Sequence, residues 1–151
     1  FASLQRNIPS MIWTFLLIMS FGIGTVVGTL ALLITTCGFL IRSFIETIDE
    51  VGGESLEALQ AVGAGRLSII TQVILPASLP GFLSWLLYSL EVNIRSSTLV
   101  GAVGGGGIGL IMMGYIKQFR YHSAMGVILL VAVIVILVDL LTNFLRKKVL
   151  A

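Results

Sequence analysis

Residues 91–109 read EVNIRSSTLVGAVGGGGIG, and they hold the side chains in this chain best suited to polar chemistry. Glu91 and Arg95 stand four apart, so on a helix they share a face and can pair, in the better order with the acid first. Arg95 offers planar, two-pronged recognition of phosphate-like oxygens. Asn93 lies between them. Two readings are open: a structural ion pair, or Arg95 facing a pore and meeting an anionic substrate. The glycine run that follows contains a formal G-x-G-x-x-G at Gly104, Gly106 and Gly109. It does not specify a dinucleotide site, because no strand precedes it and GGGGIG meets the spacing almost automatically. It also lacks the Gly-Lys-Ser/Thr of a phosphate-binding loop.

The surroundings decide what such residues can mean. The chain has 151 residues, 57% hydrophobic and 11% charged, with a mean hydropathy of +1.08. Soluble domains carry roughly 25% charged residues, so this is read as a membrane protein. Charges inside a membrane are expensive and face a bundle interior or a water-filled path. Glycine-rich, non-helical backbone at membrane depth is tolerated only where it lines a cavity or is buried in protein. Residues 99–109, with Gly104, Gly106 and Gly107 at their centre, are therefore expected to form a gate-like re-entrant loop. Cys37 and His122 are each single. They support neither an internal disulfide nor a zinc site, and Cys37 is expected to be a small buried hydrophobe. No paired carboxylates, Ser/His/Asp set or metal spacing is present, so no catalytic constellation is expected and an intramembrane enzyme is remote.

A membrane span needs about 20 mostly apolar residues. Candidate spans cover residues 9–21, 25–46, 77–97 and 124–145, giving an all-α, polytopic transmembrane helical bundle. Gly22, Ile23 and Gly24 predict a tight turn between the first two, with one long kinked helix as the alternative. Residues 46–57 are acidic, carry a glycine pair and are expected in water. Asp139 lies in the last span, with two placements open: facing the bundle or near the membrane interface. Trp13, Trp85, Tyr88, Tyr115 and Tyr121 read as packing or interface residues. The basic residues Arg6, Arg42, Arg66, Arg146, Lys147 and Lys148 fall on one side if the first two spans cross and return. The excess marks that side, including residues 54–76 and the C-terminus, as cytoplasmic. The basic tail reads as a lipid anchor, not a nucleic-acid patch. The chain starts at Phe1 and lacks a signal peptide, and it reads as the C-terminal part of a longer protein.

Residues 57–76 read EALQAVGAGRLSIITQVILP. Leu56, Leu59 and Val62 form one apolar stripe, and Leu67, Ile70 and Ile74 a second. Gly63 and Gly65 separate them, and Pro76 is expected to end the second helix. Two short helices of this kind cannot bury themselves. They either lie on the membrane or insert into a partner's groove.

The spacing Glu57-Ala58-Leu59, three residues, Gly63, nine residues, Val73-Ile74-Leu75-Pro76 resembles the cytoplasmic "EAA" loop of ABC-importer permeases. Leu59 replaces that pattern's second Ala and Val73 its Ile. The string Glu91, Asn93, Arg95, Thr98, Gly101, Val103, Gly104, Gly106, Gly107, Ile108, Gly109 is similar to one in phosphonate and phosphite importer permeases. The N-terminal RNIPSMIW, GIG and LAL are similar too, with Thr25 where that family often has proline. Methionine-importer permeases share the glycine run but typically not the Glu/Asn/Arg triplet. The resemblance covers nearly the whole chain. It implies a type I ABC importer permease whose coupling helix seats on an ATP-binding subunit. Glu57 would pair with a basic residue there, Ala58 would pack closely, Gly63 would turn the chain, and Leu75 and Pro76 would set the entry into the third span. It further implies a second permease copy, a pair of ATP-binding subunits, an extracytoplasmic solute-binding protein, and ATP bound by the partner with no cofactor on this chain. Glu91, Asn93, Arg95, Gly104, Gly106 and Gly107 would line the path of a phosphonate-like anion. A methionine-type importer, and an autonomous carrier coupled through Glu91 or Asp139, are the rival readings.

Overall fold

The computed structural model describes residues 8–61 and 65–150. Among these all the regular structure is helical. The helices are α1 (Ser10–Phe21), α2 (Thr25–Ala61), α3 (Arg66–Ile69), α4 (Leu75–Val100), α5 (Gly107–Lys117) and α6 (Tyr121–Leu150), with π-helical turns at Ile70–Ile74 and Gly101–Gly105. Three stretches are long and apolar enough to cross a membrane: Thr25–Gly52, Leu67–Gly105 and Tyr121–Lys148. α1 has 12 residues, about 18 Å of helix against a hydrocarbon layer of about 30 Å. It is too short to cross by itself, so an orientation argument that counts it as a full span loses that step.

Gly22, with φ 79°, ends α1, and α2 starts at Thr25. The chain thus breaks at the glycines. Within α2 glycine does not break it. α2 runs through Gly52 and Gly53 to Ala61, although each glycine costs a helix about 1 kcal/mol. The acidic stretch 46–57 belongs to this helix and is not a separate linker, and residues 56–61, the described part of the first short helix expected at 56–62, are continuous with the span.

Pro76 does not end a helix. The π turn Ile70–Ile74 runs straight into α4, and the Leu75 N–H donates to the Ile70 carbonyl, five residues back. Proline removes one helical hydrogen bond and its ring crowds the carbonyl four residues before it. The wider turn lies where that crowding falls, so 66–100 is one helical path.

The glycine run also differs from a re-entrant loop. α4 continues to Val100, Gly101–Gly105 form a π turn, and α5 begins at Gly107. Helical geometry is lost only around Gly104 (φ 113°), Gly106 (φ 79°) and Gly107 (φ 69°). The whole segment 99–109 is a sharp junction between two helices.

The inside of the bundle is built from small and hydroxylated residues. Val27, Ala31, Val100 and Ala124 are buried, as are Thr14, Ser43, Ser78, Ser89 and Thr142, while many leucines, isoleucines and phenylalanines are exposed. This is the pattern for helices packed in lipid, where small residues let backbones approach and large apolar side chains meet acyl chains. The α2–α4 seam carries the specific contacts. The Phe39 ring meets Trp85 edge-on at 5.7 Å between centroids, and Phe44 meets Phe82 at 4.6 Å. Trp85 Nε1 donates to Thr47 Oγ1 over 3.0 Å. Cys37, expected to be buried, is exposed on α2.

Candidate functional site: the α2–α4 seam and the glycine junction

Residues two apart on a helix lie about 200° apart. Glu91 and Arg95 therefore share one face of α4, and Asn93 lies on nearly the opposite one. The structure separates the triplet accordingly. Arg95 Nη2 lies 3.2 Å from Glu91 Oε1 and 3.6 Å from Asp139 Oδ2 on α6. Asp139 thus faces the bundle, and Arg95 joins α4 to α6. The Arg95 side chain is 56% exposed, so it is tethered without being enclosed.

Asn93 points the other way, into a cavity of about 260 Å³ between the start of α1, α2 and α4. The Thr36 hydroxyl donates to Asn93 Oδ1 over 2.9 Å. Ser10, Thr35, Tyr88, Ser89 and Ser96 complete the polar part of the lining among the described residues, and no charged residue is among them.

Gly106 and Gly107 line a second cavity, of about 180 Å³, with Thr25, Thr29 and Ser97. Leu32 borders both cavities. The junction is held by backbone packed on backbone. The Gly24 N–H donates to the Gly104 carbonyl over 3.1 Å. A Cβ on Gly28 would overlap the Gly105 carbonyl oxygen, and one on Gly106 would come within 2.6 Å of Thr25 Cγ2. Glycine here is a condition of close approach.

Of the coupling residues, Glu57, Ala58 and Leu59 fall on the last turns of α2. Leu75 and Pro76 open α4 directly after the π turn. Gly63 lies outside the described residues. Thr36, Tyr88 and Ser96 were not expected at the site. Nothing in their own sequence distinguishes them from the hydroxyls that dot every helix, and only the α2–α4 pairing brings Thr36 to Asn93.

An all-α, membrane-spanning bundle with a kinked glycine junction and an EAA-like loop between two of its spans defines a transport permease. The chain belongs to the family of binding-protein-dependent transport system inner membrane components, whose model matches residues 1–150. It is 34% identical over 97% of its length to a phosphite transport system permease of Stutzerimonas stutzeri, covering 56% of that protein. It is 37% identical over 78% of its length to a cryptic phosphonate transport system permease of Escherichia coli K12, covering 97% of that one. An inward-facing structure of the MetNI methionine ABC transporter superposes with a TM-score of 0.79 at 26% identity, over 98% of this chain and 72% of the other. This chain spans about half the length of the phosphite permease it matches.

Proposed function

We propose that the chain forms the translocation path of an ATP-driven importer for phosphonate- or phosphite-type anions. It works beside a second permease copy on a pair of ATP-binding subunits and receives solute from an extracytoplasmic binding protein. ATP is bound and hydrolysed by the partner. The observation that carries the reading is the match to a phosphite permease over 97% of the chain. The end of α2 and the loop after it, with Glu57, Ala58, Leu59, Gly63, Leu75 and Pro76, form the docking handle on the cytoplasmic face. The C-terminus lies on the same side. Asn93 and the glycine junction line the path, and Arg95 draws anions towards it.

The MetNI likeness favours a second reading, a methionine-type importer. The test is purification of the full protein from its native membrane, followed by uptake into proteoliposomes. A co-purifying ATP-binding subunit, lost on Gly63→Asp, together with ATP-dependent phosphite or methylphosphonate uptake, is the expected result. Methionine uptake in its place supports the second reading. Transport without ATP sinks both and points to a carrier coupled through Glu91 or Asp139.

A further inference from the structure

The cavity around Asn93 is unusual in its hydrogen-bond arithmetic. A hydroxyl has one proton to give, and a carboxamide has an acceptor oxygen and two N–H donors. Thr36 spends its proton on Asn93 Oδ1. Thr35 spends its own on the Ala31 carbonyl, and Ser89 on the Leu86 carbonyl. With Thr36 donating to the oxygen, the Asn93 amide presents its nitrogen to the cavity; turned over, Nδ2 would instead donate to Thr36 Oγ1. Its Nδ2 is left with two N–H groups and no partner among the described residues. The hydroxyls of Tyr88 and Ser96, which also line the cavity, have no partner among these residues either.

Each of these unpartnered groups can therefore donate, the amide through its two N–H groups and the hydroxyls through their protons, and no carboxylate is among the described lining residues. The volume, about 260 Å³, is just below the usual range for drug-sized ligands, roughly 300–1,000 Å³. It suits a small solute with a few waters. Neutral donors also suit transport, because a conducting site must bind well enough to fill and weakly enough to empty.

We propose that this cavity is a solute subsite for a tetrahedral oxyanion, in which Asn93 Nδ2 donates to the anion and Thr36 is the residue that positions the amide. This rests on the importer reading above and adds to it a site chemistry that is neutral and separate from Arg95.

The test uses the full importer, with its ATP-binding subunits and loaded binding protein, in proteoliposomes. The readout is solute moved per ATP hydrolysed, with phosphite and methylphosphonate as probes, at saturating binding protein. Asn93→Asp replaces the donors with a repelling charge at constant shape, and the ratio should fall about tenfold or more. Thr36→Val should lower it severalfold, and Thr36→Ser, which keeps the hydroxyl, should restore it. A misfolded permease would lose uptake and ATPase together, which the ratio and the serine variant distinguish. A ratio unchanged in both Asn93→Asp and Thr36→Val overturns the proposal. So does a change confined to the phospholipid that co-purifies, which would assign the cavity to a lipid headgroup. Wild-type complex that moves no oxyanion overturns the importer reading itself, and the subsite with it.

Discussion

Arg95 on α4 lies 3.6 Å from Asp139 on α6, and the second Asp139 oxygen, Oδ1, is buried without a partner among the described residues. One carboxylate of α6 thus leans on a guanidinium already held by Glu91 within its own helix. Arg95 is half exposed, so the cross-helix contact is worth little by itself. Asp139→Asn should cost about 0.5–1 kcal/mol of stability. Thermal unfolding in detergent should also show that Arg95→Gln costs less in the Asp139→Asn background than in wild type. Additive losses would mean the two residues are not coupled.

The contact between α2 and the glycine junction predicts a sharper effect. Gly28→Ala drives a methyl group into the Gly105 carbonyl, and backbone cannot move aside as a side chain can. The loss should be roughly 1–3 kcal/mol, with Gly28→Val abolishing the folded protein. Gly126→Ala in α6, where an added Cβ meets nothing within 4 Å, should stabilise by about 0.5–1 kcal/mol. Melting temperatures of the two alanine variants, moving in opposite directions, check this.

Trp85→Phe keeps the aromatic contact with Phe39 and removes the N–H donated to Thr47. It should cost about 0.5–1.5 kcal/mol. Thr47→Val instead strands the indole N–H while keeping the methyl group that faces Gly81. Its loss of melting temperature should equal or exceed that of Trp85→Phe. A neutral Thr47→Val would show that the N–H finds another acceptor.

The class of fold was legible in the composition, and the turn at Gly22 in the pair of glycines around Ile23. What could not be read was where glycine would fail to break a helix. Gly52 and Gly53 sit in a helix of 37 residues, in which their local cost is outweighed by the rest. Gly101 stays helical, and it is glycine because the Gly106 carbonyl packs where its Cβ would be, a demand that local pattern does not reveal. Pro76 misled for a related reason, since a π turn gives its ring the space that a regular helix denies. At the site, helical period alone places Asn93 opposite Glu91 and Arg95, but the alternation E-x-N-x-R invites their reading as one group. The partner that orients Asn93 is 57 residues away, and no spacing rule links Thr36 to it.

The length of α2 has a mechanical meaning. Its 37 residues make an unbroken rod of about 55 Å. Glu57 and Ala58 lie near one end, and Gly28 is pressed on Gly105 near the other. A tilt of about 5° at one end displaces the other by roughly 5 Å over this distance. At the far end the rod bears on backbone, with no side chain between to absorb the motion. A displacement of the Glu57 end of α2 therefore reaches Gly28 through helix alone, and there it meets the Gly105 backbone, where no room is left even for a methyl group.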